Sequence, residues 1–500
     1  MFATEDNATE SPVAPVPPRY RWLKRFLKLG GLVLVGLLLL RWWWGWEAHR
    51  RLQAEIDRIV ARGEPIFPED FDPPEEIPDD QNAALALIKA AELLTTTAEQ
   101  DKIISDCYGQ LATITPDEWA LIADLEAKNA EAMSLVRRAR AMPGVDWHIR
   151  MRSPLIKHLS VILPNLIPQR QLSKALCAVA AHNHVMENDE AAIEVIRDAL
   201  HQAVTLGRPS AVMSVLGAMG TQALVVSRIE DCSHDLRVGH SPGASPQQVR
   251  GLIAELLDEQ PLRDGLRGAM LGERAYLLDT MQYMLGLLMF FKPLSPDDLG
   301  KIPFLDKIAA FPTTPLYEID GVQMMKEMSL VLEACAESNW PDAHKILKPL
   351  DEHWENLQRG TGRLMRPLGH VSMPNSSSAT VRQHFQILAR RRMAAMALAI
   401  RLYEIDRGRR PAELAELVPD YLDEIPPDPM SVGESPFTYV PDAAEPVLYS
   451  VGKNGNDDGG VLWNEEYKTY FAHEHDIVFF LDGRPFVRLS IPGAAEVQDE

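Results

Sequence analysis

The chain has 500 residues, 46% hydrophobic and 24% charged, an ordinary globular composition with length for about two to four domains. Its 71 acidic side chains outnumber 50 basic ones for a net charge of −21, which repels phosphate backbones and excludes generic nucleic-acid binding. Four cysteines, Cys107, Cys177, Cys232 and Cys335, show no CxxC spacing, which excludes a zinc ribbon or thioredoxin-type pair. They read as buried apolar thiols, with disulfides as the alternative in an extracytoplasmic setting.

In chain order, residues 1–25 read as a cytoplasmic tail whose first part is proline- and acid-bearing and poor in apolar side chains. Residues 26–46 follow as an expected transmembrane helix in contact with membrane lipid. Leu29–Leu40 is free of charge, and the apolar run resumes after Arg41 in Trp42, Trp43, Trp44 and Trp46. At ~1.5 Å per residue, residues 29–46 reach about 27 Å, close to the hydrocarbon thickness of a bilayer. Arg41 sits where a long side chain reaches the interface, and tryptophan belongs at that same depth. A cleaved signal peptide is the alternative, but RWWWGW stands where its small-residue cleavage site belongs. Arg19, Arg21, Lys24, Arg25 and Lys28 place the N-terminal flank in the cytoplasm and the rest of the chain in the periplasm or outside.

Residues 47–80 hold a helically spaced stretch, Glu47–Arg62, and a strap with five prolines and eight acids in eighteen residues. Residues 81–377 read as a helical-hairpin domain, with helices expected near 81–98, 116–141, 246–258, 262–290, 322–337 and 341–360. Thr115-Pro116-Asp117-Glu118 and Ser245-Pro246-Gln247-Gln248 are capping boxes, each with proline in the first turn. Residues 171–206 pair two helices across Glu187–Glu190, with Ala175, Ala178, Ala181, Ala192 and Ala199 suited to close packing. Gly207 and Pro209 end the second of them, and a further helix is expected over 210–230.

Residues 378–500 read as a long helix, 379–407, feeding a small α/β region. Strands are expected at 437–440 and 447–451, and a terminal hairpin from 477–481 and 485–491 across Asp482-Gly483. The run Tyr403–Pro411, Leu417-Val418, Tyr421-Leu422, Pro427-Asp428-Pro429, Tyr439, Ser450-Val451-Gly452 and Asn454–Gly460 resembles the globular part of the major pseudopilin of type II secretion. In that family a long helix leads through such a turn and short strands to an acidic loop that binds calcium. The anchor here lies far upstream of the long helix, so the resemblance implies a shared fold more than a pilus subunit. Pro78–Ala84, the anchor and this tail together resemble a group of uncharacterised bacterial single-pass membrane proteins with a helical ectodomain, which implies architecture but no activity.

Asn454, Asn456, Asp457, Asp458 and Glu465 are the candidate metal ligands. Hard cations take several oxygens from a tight loop closed by a distal carboxylate, as in an EF-hand. The alternative is an Asx-rich turn whose side chains bond the local backbone. His473 and His475 share a strand face but lack an identifiable third ligand, and a solvated polar edge is the plainer reading. His182 and His184, ~200° apart around a helix, do not share a ligand. Arg390, Arg391 and Arg392 read as a solvated face or as carboxylate partners, and Trp119, Trp147 and Trp340 as packing residues.

No GxSxG, HExxH, P-loop or dinucleotide fingerprint occurs, so catalysis has no positive support and no catalytic residue is assigned. The expected class is mainly α: an N-terminal transmembrane helix, a helical-hairpin ectodomain and a small α/β C-terminal appendage. The expected function is a non-enzymatic envelope scaffold for protein partners, its tail loop held by Ca2+. Two alternatives stand beside it: an accessory component of a type II secretion or pilus-like system, and an envelope hydrolase with paired carboxylates in a deep pocket.

Overall fold

A computed structural model describes residues 19–73, 75–106, 114–155, 159–239, 242–287, 314–359, 374–433, 435–443, 445–460 and 475–483. Helix α1 runs without a break over Arg19–Ala61, 43 residues, so the expected transmembrane and juxtamembrane helices are one element. No proline interrupts it. It stops at Gly63, whose φ of 70° suits a residue without a Cβ, and Gly63 N donates to Val60 O at 2.9 Å.

The proline-rich strap that follows is fastened to the body. Asp70 accepts from Ile66 N at 3.0 Å and Phe67 N at 2.9 Å, and Ile66 is buried. The fully buried Arg274 guanidinium holds the strap from the other side, with Glu64 at 2.6 Å and Pro65 O at 3.0 Å. Arg152 grips Asp72 with two hydrogen bonds, 2.9 and 2.8 Å.

Helices α2 (Ala83–Leu93), α3 (Ala98–Asp106), α4 (Pro116–Lys128) and α5 (Ala130–Arg140) form the first layer. Both capping boxes form: Thr115 Oγ1 accepts from Glu118 N at 3.3 Å, and Ser245 Oγ accepts from Gln248 N at 3.2 Å. The single helix expected over 116–141 is divided at Asn129. Its buried amide accepts from Thr95 N at 2.8 Å and donates to Thr95 O at 2.9 Å and Leu125 O at 2.8 Å, which ties the break to a distant loop.

Helix α6 (Leu159–Val185) begins well before Gln171 and tolerates Pro164 and Pro168. Glu187, at φ 63°, turns the chain into α7 (Asp189–Leu206), and Ala175, Ala178, Ala181, Ala192 and Ala199 are buried there as expected. Helices α8 (Val212–Ser233), α9 (Pro246–Leu257) and α10 (Gln260–Leu287) follow. Helix α10 crosses the α7–α8 connection so closely that a Cβ on Gly272 would lie 1.9 Å from Ser210 O. Helix α8 is itself long and apolar enough to span a membrane by composition, with a mean hydropathy of 1.4 over its most apolar stretch. Yet more than half of that stretch is buried, packed against α6, α7, α10 and the last long helix.

Helices α11 (Thr314–Ala334), α12 (Trp340–Arg359, with Pro349 inside) and α13 (Pro374–Arg407) are the remaining helices among the described residues. The helix expected to open a C-terminal unit, α13, instead runs through the middle of the body and packs on α8, α9 and α12. One connected apolar core extends from Leu52 to Leu481, so the C-terminal segment shares the core of the helical body.

Three short antiparallel strands lie in the order β1 (Thr438–Val440), β2 (Val447–Ser450), β3 (Ile477–Phe480). Tyr439 pairs with Leu448, and Leu448 with Phe479. Strand β3 therefore finds its partner in β2; residues 485–491, expected to pair with it, lie outside the described residues. Phe480 N donates to Glu230 of α8 at 2.9 Å, which ties the sheet to the helices.

Candidate functional site

The acidic loop after β2 is arranged by two buried carboxylates that the sequence did not single out as organisers. Asp476, at the start of β3, accepts from Asp458 N at 3.1 Å and Gly460 N at 2.8 Å through one oxygen, Oδ2. Its Oδ1 is buried with no hydrogen-bond partner. Asp428, from Pro427-Asp428-Pro429, accepts from Met430 N at 2.9 Å, Ser450 Oγ at 2.8 Å and Val451 N at 3.1 Å. Burial raises both carboxyls above the usual range; for Asp476 the nearby Asp458 and Asp457 add to the effect.

The expected ligands are largely spent inside the loop. Asn454 Oδ1 accepts from Asn456 N at 2.9 Å, while its amide donates to Asp458 Oδ2 at 2.9 Å. Asp457 Oδ1 accepts from Gly459 N and from Tyr449 Oη, both at 2.9 Å. Asp458 faces His475 Nδ1 at 2.8 Å, and its carboxyl is lowered by the hydrogen bonds from Asn454 and His475. These are the bonds of an Asx turn. Asn454, Asp457 and Asp458 are thus brought together with Asp476 and His475, whereas Glu465 and His473 lie outside the described residues. Among the described residues, no group of three or more His, Cys, Asp and Glu is arranged to hold a metal ion.

Two of the clefts carry different chemistry. One of about 350 Å³ lies between the α6–α7 turn, the loop after α8 and α13, lined by Glu187, Arg237, Arg401 and Ile405 among others. Arg237 donates to His184 O and lies 2.8 Å from Asp189, while Arg401 donates to Leu236 O at 2.9 Å. A second cavity, between α10, α11, α12 and α13, holds Glu273, Glu327, Met324, Met328, Trp354 and Ser378 around only about 20 Å³. That is room for roughly one water, and a polymer substrate does not fit. Burial raises the Glu273 carboxyl there.

Behind the larger cleft is a buried ionic knot. His184 Nδ1 is 2.6 Å from the fully buried Asp189, and Nε2 is 3.0 Å from Asp235. Burial alone lowers an imidazole, but these two carboxylates outweigh it and hold His184 at about 9, protonated and donating to both. His182, on another face of α6, sits against Trp119 and Glu126.

Arg391 departs from the expected solvated or carboxylate-paired role. It is fully buried and donates to Leu256 O at 3.0 Å, Glu255 O at 2.7 Å, Asp258 O at 3.1 Å and Gln222 Oε1 at 2.9 Å, capping the C-terminal end of α9. Its neighbour Arg392 does take a carboxylate, Glu259, at 2.6 and 2.9 Å. Trp119, Trp147 and Trp340 are buried packing residues, and Trp147 Nε1 donates to Thr205 O at 2.9 Å. Cys177, Cys232 and Cys335 are buried, and desolvation pushes the Cys335 thiol up to about 12; Cys107 lies outside the described residues.

Among the described residues, a long run of exposed apolar side chains belongs to α1. Leucines 29, 32, 34, 37, 38, 39 and 40 and Trp42, Trp43 and Trp46 are all exposed, whereas Ala48, Leu52, Ile56 and Ile59 of the same helix are buried. Compared with known proteins, the chain matches no family model, no curated protein and no solved structure.

Proposed function

We propose that the chain is a single-pass membrane protein that presents its helical body to protein partners on the extracytoplasmic side. The observation that carries this is the exposed run of leucines from Leu29 to Leu40 with Trp42, Trp43 and Trp46, on a helix whose following turns bury Ala48, Leu52, Ile56 and Ile59 in the body. An exposed apolar surface of that length has a large transfer cost in water and a favourable environment in lipid. The 350 Å³ cleft, where Arg237 and Arg401 stand beside the exposed Ile405 and already pair with Asp189 and Glu404, is a surface suited to a peptide of mixed polar and apolar character. A photo-reactive residue at Ile405 in native membranes is expected to trap a discrete partner, and Arg401→Glu to abolish the adduct. An adduct pattern indifferent to Arg401→Glu contradicts the cleft as the contact surface.

A calcium-held loop is the second reading, favoured by the orphaned Oδ1 of Asp476 beside Asp457 and Asp458. Asn454, Asn456, Asp457, Asp458 and Glu465 would supply further oxygens, and the ion would neutralise a cluster that otherwise repels itself. Calcium titration of the full chain is expected to raise its melting temperature, with Asp476→Asn removing the response. An unchanged melt in calcium rules this reading out.

A further inference from the structure

The anchor helix does not end where the body begins. Ala48, Leu52, Ile56 and Ile59 make a buried stripe on α1 with helical spacing, and the partner along that stripe is α11. Three contacts fix the pairing. A Cβ on Gly45 would lie 3.8 Å from Pro315, His49 Nδ1 is 3.2 Å from Glu318 Oε1, and a Cβ on Gly321 would lie 3.7 Å from Leu52 Cδ1. The residue numbers advance together along both helices, so α1 and α11 run side by side in the same direction. At Gly321 that Cβ would also meet Met281 Sδ of α10 at 2.4 Å, so a third helix closes over the pair.

The first turn of α11 therefore stands at the level of Gly45, among Trp42, Trp43 and Trp46, the exposed tryptophans of α1. At this level Trp42 and Trp43 are exposed, Trp46 carries the Arg50 guanidinium 5.9 Å from its ring centroid, and the buried Pro315 packs beside Gly45 on the same turn. We infer that α11 is a second leg that seats the body on the lipid surface, its first turn at headgroup depth, so that the body holds one orientation to the bilayer and does not swing on a tether. This rests on the membrane reading of α1 and adds what that reading leaves open: which surface of the body faces lipid and how firmly. The occupant of that surface is the headgroup layer of the membrane that holds α1, because Gly45, at the end of the exposed apolar stretch of α1, packs on Pro315 in the first turn of α11 and sets that turn at the same height.

Ile319 and Leu330 are both exposed on α11 and lie at different heights above Pro315. At a rise of ~1.5 Å per residue they are separated by about 16 Å along the axis. The test uses the full chain in nanodiscs of equal parts phosphatidylethanolamine and phosphatidylglycerol, with a fluorescent amino acid at Leu38, Ile319 or Leu330. Lipids carry a quencher at either the headgroup or the acyl chain. The expected result is acyl-chain quenching at Leu38, and headgroup quenching several-fold stronger at Ile319 than at Leu330. Equal headgroup quenching at Ile319 and Leu330, with Leu38 still quenched, overturns the seated orientation and leaves the anchor standing. Absence of quenching at Leu38 overturns the membrane reading itself, and the seating with it.

Discussion

Among the described residues one helix, α8, is long and apolar enough by composition to cross a bilayer, while α1 carries a shorter uncharged run, Leu29–Leu40, and the two meet opposite environments. Helix α1 keeps Leu29 to Leu40 and Trp42, Trp43 and Trp46 exposed, whereas α8, with Val225 fully buried, has more than half of its apolar stretch buried against four other helices. Their side chains record the difference. Helix α8 places Gln222, Arg228 and Glu230 inside the protein, where Arg228 meets Asp231 at 3.0 Å and Glu230 receives Phe480 N at 2.9 Å. Polar groups that find partners within the fold are affordable in a core helix; α1 has none between Gly30 and Leu40. Hydropathy alone does not separate the two helices, but the company kept by their polar residues does.

The same charge placed in each helix should have opposite effects on the fold. Val225→Asp buries a carboxylate without a partner and is expected to destabilise the body by more than about 4 kcal/mol, read as loss of a cooperative melt. Leu34→Asp is expected to leave the melt of the detergent-solubilised chain unchanged, while costing about 3 kcal/mol of membrane insertion. If Leu34→Asp lowers the melt as Val225→Asp does, the first half of α1 is a core element.

Arg391→Ala removes one cation from four acceptors and leaves the end of α9 unsatisfied, for an expected loss of about 3 to 5 kcal/mol in thermal unfolding. A smaller loss, near that of a surface arginine, contradicts the clamp.

The His184 knot gives a pH signature to the body alone. A histidine raised from 6.5 to about 9 on folding contributes stability that is complete below pH 6.5 and disappears as pH rises through 9. With each pKa unit worth about 1.4 kcal/mol, the expected decline is on the order of 3 kcal/mol. His184→Gln should flatten that slope. The smallest effect is expected at the first capping box, where Thr115→Ala should cost about 1 kcal/mol.

Sequence legibility followed the range of the interactions. Both capping boxes form because hydroxyl, proline and carboxylate or amide lie within one turn, and the α6–α7 hairpin follows from its alanines and the Asn188 cap. The break at Asn129 was hidden because its partner, Thr95, belongs to another segment, and local helix propensity runs straight through it. Arg391 read as surface charge for the same reason: its acceptors are carbonyls of α9, far away in sequence. In the tail, the Asx residues were visible as a cluster and Asp428 as part of Pro427-Asp428-Pro429, but the organising role of Asp428 and Asp476 rests on contacts distant in sequence. The continuity of α1 into the core was half legible, since both pieces were expected as helices and only their union depends on α11.

On the proposed function, residues 29–46 of α1 lie in lipid, while Ala48, Leu52, Ile56 and Ile59 of the same helix belong to the folded body. Alkaline carbonate extraction of membranes from cells making the full chain tests it most directly. The intact chain is predicted to remain in the membrane pellet, and its release into the supernatant would contradict the account.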